Sequence, residues 1–288
     1  MEQTNTKENL PGGVFLMKLL FRKPVTLPNT ETILTVLNKH LGEIELFSRK
    51  ENLAGFLAKE YESQFQDTAV PVQLMLFAPE KTTLNQFDEF VKSQMWDCME
   101  QRDEILQECN YCICANDMLA AGLSAQKRAD LDMNFLEALL ELYPDCEAIY
   151  FQSSGKLLTV NQIKENLMPK EERFIHFGVN VRFFNIEGSN DMVVDTVGMS
   201  VLFLPDMQYH FHSLDPNWIV GHTYSLASYL FHNDNPIKNG DTIDGIQNGK
   251  FDPLIQWKCH YEESLIQPQR EVIDVCTNEY AAGNRNYE

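Results

Sequence analysis

The sequence predicts an α+β protein, and three observations carry that reading. Strand-like and helix-like segments alternate through the first half of the chain. Beyond about residue 174, strand-like runs dominate and a single helical pattern stands out. The 288 residues, 44% of them hydrophobic, are enough to bury a sizeable core. The expected architecture is a mixed sheet with covering helices in the first half and more antiparallel strand in the second.

The elements follow in order. Residues 1–12 are polar and are expected to form a disordered N-terminus. Val14–Phe21 is apolar except for Lys18 and reads as the first strand. Pro28-Asn-Thr-Glu31 marks a helix start with Thr30 as its cap; Ile33, Leu34, Leu37 and Leu41 share a face up to Gly42. Glu43–Arg49 and Val70–Phe77 read as strands. Thr83–Met99 places Phe87, Phe90, Val91, Met95 and Trp96 near helical spacing. Cys109–Ala115 is the next strand. Ser124–Leu142 is the strongest helix: Leu131, Phe135, Leu139 and Leu142 align and Pro144 ends it. Ala148–Gln152 is a short strand.

Residues 156–173 are polar, and Pro169–Arg173 is their most linker-like part. This sets the expected domains at 13–155 and 174–288, with one compact unit as the alternative. In the second half, Phe174–Ile186 and Met192–Leu204 read as long strands joined by Glu187-Gly-Ser-Asn190, a hairpin signal. Trp218–His232 is a helix, and Phe251–Glu262 and Glu271–Thr277 are strands.

Charge narrows the partners. Forty-two acidic against 23 basic residues give a formal charge of -19. Such a surface repels phosphate backbones and anionic membranes, so neither nucleic acid nor membrane is an expected partner. No run reaches the roughly 18 apolar residues that span a bilayer. The first apolar stretch lacks the basic flank and cleavage site of a signal peptide, which points to the cytoplasm. The seven cysteines are then expected as free thiols. Cys109, Cys112 and Cys114 include a C-x-x-C spacing, but no second pair lies at zinc-ribbon distance and no helix opens after it. They read as packing, with Cys112 and Cys114 buried on one face of a strand.

Several blocks are candidates for chemistry. His210-Phe-His212 puts two imidazoles on one face of an extended segment, near Asp206 and Asp215. That pair is the alternative metal site, although spacing identifies no third ligand. The leading reading of Pro205–Asp215 is an aromatic-rich surface loop. Ser153-Ser154-Gly155 lacks a nucleophile elbow, and Cys259-His260 alternate across a strand. No phosphate-binding glycine motif occurs, so no cofactor is expected. Asn239-Gly-Asp-Thr-Ile-Asp-Gly245 lacks a calcium-loop register, and Gly240 and Gly245 read as turn residues. Arg270 has many acidic partners to choose from, and a bidentate pair with Glu262 is the expected one.

Ala148-Ile-Tyr-Phe-Gln-Ser-Ser-Gly155, Asp195-Thr-Val-Gly-Met199, Leu204-Pro-Asp-Met-Gln208, Asn239-Gly-Asp-Thr-Ile243 and Trp257-Lys-Cys-His-Tyr-Glu262 carry a resemblance. Together they resemble the bacterial family known as domain of unknown function 4261, over roughly residues 110–276. The resemblance implies a bacterial cytosolic origin and carries over no catalytic residue.

The expected function is non-enzymatic binding of a protein partner, one of basic character, in a defence or toxin-neutralising setting. The binding surface is expected to combine Asp206, Tyr209, His210, His212 and Asp215 with Trp257, Tyr261, Glu262 and Arg270, because aromatic and charged side chains anchor protein partners. The alternative is a metal-dependent hydrolase built on His210 and His212.

Overall fold

The computed structural model describes residues 13–65 and 68–283. The expected disordered N-terminus, residues 1–12, lies outside the described residues. The protein is α+β and divides into two compact units: residues up to 178 together with 201–203, and residues 179–200 together with those from 204 on. Among the described residues no helix is long and apolar enough to cross a membrane.

In the first unit the elements are β1 (Leu16–Phe21), α1 (Thr30–Leu41), β2 (Ile44–Lys50), β3 (Leu53–Phe65), β4 (Thr68–Phe77), β5 (Glu80–Lys81), α2 (Glu89–Ser93), α3 (Met99–Glu108), β6 (Tyr111–Met118), α4 (Ala125–Leu142), β7 (Ala148–Phe151), β8 (Lys156–Thr159), α5 (Val160–Lys164) and α6 (Arg173–Gly178). The strands form one sheet in the order β2-β3-β4-β6-β1-β7-β8, and β5 extends the β4 edge along β6. Every pairing in it is antiparallel. The expected mixed sheet in this half is therefore corrected: helix–strand alternation does not require parallel crossovers when each strand returns beside an antiparallel neighbour.

Local sequence explains the helices. α1 is capped by Asn29, whose Oδ1 accepts from the Thr32 amide at 2.8 Å, so the cap is one residue before the expected Thr30. Gly42 ends it at a φ of 78°, where a side chain would be strained. α4 starts at the Ser124 cap and buries Leu131, Phe135 and Leu139. The helix expected over Thr83–Met99 is broken instead. Asp88 accepts from the Val91 amide and starts a fresh helix in its middle, flanked by two single 3₁₀ turns. The expected linker 156–173 is also corrected. It holds β8, α5, capped reciprocally by Thr159 and Gln162, and the start of α6. Lys156 is buried there, 3.4 Å from Asp97. Phe174 belongs to α6 and not to a strand.

A charged group sits inside this unit's core. Arg128 of α4 meets Asp117 of β6 at 2.7 Å and donates to the carbonyls of Val201 and Gly13. Asp132, one turn along α4, is 4.0 Å from Arg128 and fully buried. Neither of its oxygens has a hydrogen-bond partner among the described residues.

In the second unit the elements are β9 (Asn180–Asn185), β10 (Met192–Val197), β11 (Asp206–Phe211), α7 (Pro216–His232), β12 (Thr242–Gln247), β13 (Lys250–Glu263) and β14 (Glu271–Cys276). They form a second sheet, β12-β13-β14-β11-β10-β9. Its β11–β14 pair is parallel and the rest are antiparallel, so the mixed sheet lies here. β10 ends at Val197, and Met199–Leu202 turns as a 3₁₀ segment before β11. Asp215 caps α7 by accepting from the Asn217 amide at 2.9 Å, and Pro216 takes the first turn, where a missing N–H costs nothing.

Gly240 and Gly245 have different roles. Gly240 is a turn residue at a φ of 91° with open space around it. Gly245 lies inside β12, at an irregularity in its pairing with β13. A Cβ there would meet the Trp257 indole at 2.8 Å and Ile255 at 2.6 Å. The turn reading of Gly245 is thus replaced by close packing. Gly245→Ala should lower stability by about 1–3 kcal/mol through overpacking. Gly240→Ala should cost about 1–2 kcal/mol through backbone conformation alone. Urea unfolding of both variants checks this, and an unchanged midpoint for Gly245→Ala would refute the packing account.

Candidate functional site

Strand alternation gives the second sheet two unlike faces. On one face Met207, Tyr209, Phe211, Trp257, Ile273 and Val275 are buried, and α7 packs over β9, β10 and β11. On the other face register aligns a row of polar side chains across five strands: Arg182, Asp195, Gln208, Asp274 and His260. The first four are at most 4% exposed.

Buried charges need partners, and Arg270 supplies them. It stands at the end of the loop between β13 and β14. Its Nη2 donates to Asp195 at 2.9 Å and its Nε to Asp206 at 3.1 Å. Arg182 clasps Asp195 from the other side at 2.8 Å and 2.5 Å. Asp206 also accepts from the Thr196 hydroxyl at 2.9 Å and the Met199 amide. Two guanidinium groups and two carboxylates thus balance in charge. The remaining guanidinium donors go to the main chain: Arg182 to the Gln267 carbonyl, and Arg270 to Ile266, Pro268 and Thr196. Burial still pushes the Asp206 carboxyl up, with Arg270 opposing it. With its donors committed internally, this network is built to hold the 264–269 loop against the sheet.

These positions correct several expectations. Arg270 pairs with Asp195 and Asp206, not with Glu262; Glu262 accepts from Gln208 at 2.6 Å. Pro205–Asp215 is not a surface loop, because most of it is β11, a central strand. Asp206, Tyr209 and Trp257 are at most 2% exposed, so they do not form a contact surface. β14 separates β11 from β13, so the two aromatic segments are not neighbouring strands. His210 is 3.8 Å from Asp191, and His212 contacts Ser213 at 3.0 Å and the Tyr280 ring edge-on. No third metal donor converges on His210 and His212 among the described residues. Tyr261 is half-buried: its hydroxyl donates to the Ile237 carbonyl and accepts from Asn235, both at 2.9 Å. Asp215 serves as the α7 cap.

The open feature of this unit is a cleft of about 670 Å³ between α7 and the β12–β13 hairpin. His222 forms its inner wall. The Tyr209 hydroxyl donates to His222 Nδ1 at 2.8 Å, and His222 Nε2 donates to the Asp244 carbonyl at 2.8 Å. The imidazole packs against Trp257 at 4.9 Å and Phe251 at 5.0 Å, centroid to centroid. Burial lowers its pKa and keeps it neutral. Tyr229 and Phe251 line the mouth and remain 48% and 54% exposed. Asp241 and Asp244 add exposed carboxylates to the same lining. Sequence reasoning missed Arg182, Asp195, Gln208 and this cleft.

The family model of a domain of unknown function (DUF4261) matches residues 195–276. The match begins at Asp195 of the buried network and ends with β14. It covers the later part of the 110–276 span over which the sequence resembles that family. No curated protein and no solved structure matches the chain.

Proposed function

We propose that the C-terminal unit is a docking module for a basic, amphipathic segment of another protein, seated in the cleft beside α7. The observation that carries this reading is the exposure of Tyr229, Phe251 and Leu254, the last 91% exposed, close in sequence and fold to the carboxylates of Asp241, Asp244 and Asp252. Large apolar side chains held in the open suit a contact surface. Acidic neighbours favour a cationic occupant, as does the net charge of -19. Binding fits better than catalysis, because Arg182, Arg270, Asp195 and Asp206 are committed to one another. The seven free cysteines suit the reducing cytoplasm as the place of action.

The test is fluorescence anisotropy with a labelled peptide of alternating lysine and leucine. The expected result is saturable one-to-one binding that weakens with salt. Phe251→Ala should weaken it by about tenfold, the scale of a modest hot spot. The double change Asp241→Asn and Asp244→Asn should remove most of the salt dependence while the turn hydrogen bond of Asp241 to the Lys238 amide survives. Identical binding by all three proteins would sink the proposal.

A further inference from the structure

We propose a zinc-binding site in the first unit, made by Glu80, Cys112 and Cys114. Register builds it. Glu80 of β5 lies directly opposite Cys112 of β6, so their side chains share a face. Cys114, two residues on, falls on that same face. The three donor atoms lie within 4.8 Å of one another. Both thiols point at one carboxylate oxygen: Cys114 Sγ is 3.6 Å and Cys112 Sγ 3.8 Å from Glu80 Oε1.

These spacings suit a metal. Zinc–sulfur bonds of about 2.3 Å and zinc–oxygen bonds of about 2.0 Å, set tetrahedrally, place neighbouring donors roughly 3.5–3.8 Å apart. Binding exchanges two thiol protons for one Zn²⁺, with both protons released to water, and forms two Zn–S bonds and one Zn–O bond. Two thiolates select a soft or borderline ion, and the carboxylate favours a dication over Cu(I). The bound group would carry one net negative charge. Lys18 of β1, directly opposite Cys114, places a cation on the same face to complement that charge.

The surroundings separate this pair from the other cysteines. Cys109 is buried in the adjoining apolar cluster, with no carboxylate hydrogen-bonded to its thiol among the described residues. Cys112 is a buried member of the same cluster, but Cys114 is only half-buried and Glu80 is exposed. An ion therefore reaches the donors from the solvent side. Three protein ligands leave the fourth tetrahedral position to water or an exogenous ligand, the arrangement of reactive rather than purely structural zinc.

The test uses the full chain, reduced with a phosphine and titrated with Co²⁺, followed by Zn²⁺. One equivalent of Co²⁺ should give thiolate charge-transfer and tetrahedral ligand-field bands, and Zn²⁺ should abolish both. Cys114→Ser should remove the charge-transfer intensity of a two-thiolate site. Glu80→Gln should retain thiolate bands but weaken affinity by roughly tenfold or more, the scale seen when a metal site loses a supporting group. Should Cys114→Ser fail to fold, Glu80→Gln decides, since Glu80 is exposed and outside the core. No thiolate band in the wild type, or affinity unchanged in Glu80→Gln, overturns the site.

Discussion

Arg270→Ala is expected to destabilise the C-terminal unit by about 3–5 kcal/mol, the cost of removing one partner from a buried charge network. Asp195 and Asp206 are 0% and 2% exposed, and the substitution leaves Asp206 with only its hydroxyl and amide donors. It also frees the loop carbonyls of Ile266 and Pro268 that Arg270 ties down. Arg270→Lys should recover part of the loss, because an ammonium keeps the charge but cannot span both carboxylates and the main chain at once. Denaturant unfolding followed through the tryptophans measures both. An Arg270→Ala midpoint close to that of the wild type would show that the network holds nothing in place.

The second large effect concerns Asp132. Burial raises its pKa well above the ordinary value, Asp117 adds to the shift, and Arg128 opposes it from 4.0 Å. Because Arg128 closes on Asp117 at 2.7 Å, the proton of the pair rests on Asp132. The folded chain keeps this proton after the unfolded chain has released it. Its contribution to stability is therefore complete below the unfolded carboxyl pKa, about 4. It falls by up to about 1.4 kcal/mol per pH unit above that, until the folded group ionises. Asp132→Asn removes the titration. The stability difference between variant and wild type should grow in favour of the variant as pH rises from 4 towards 7. Parallel unfolding series across that range decide it; a difference independent of pH would mean that Asp132 is ionised in the native protein.

Much of the fold could be read from the chain because certain residues act locally. Ser124 caps α4, the apolar spacing along that helix buries its face, and Gly42 ends α1 by conformation alone. Other elements lacked that kind of signal. β3 carries Lys59, Glu60, Glu62 and Gln64 through its second half, so its polar composition hides a strand. α3 shows only Ile105 and Leu106 buried among charged residues. The candidate site was the least legible. Asp206 and Gln208 look solvated in sequence, yet both are buried: Arg270, 64 residues from Asp206, reaches back to neutralise that carboxylate, and Gln208 donates to Glu262 and accepts from the Leu265 amide. His-x-His spacing drew attention to β11, whereas the open cleft is made by residues of α7 and the following hairpin that have unremarkable spacing. The cysteine pair was legible as one strand face; Glu80 was not, because it comes from a two-residue strand whose register only the sheet reveals.

The place of β14 has a consequence for how the protein is made. It is the final strand of the second sheet in sequence, yet it sits in the middle, parallel to β11 and between it and β13. While the chain is leaving the ribosome, β9, β10 and β11 can assemble as one half and β12 with β13 as another. They have no common partner until Glu271–Cys276 emerges. Such a late, long-range closure slows folding and leaves inner strand edges unpaired during synthesis, where another chain can add to them. A stop codon before Glu271 would accordingly remove the seam of the sheet and not its border, and the shortened product is expected to aggregate instead of persisting as a smaller domain.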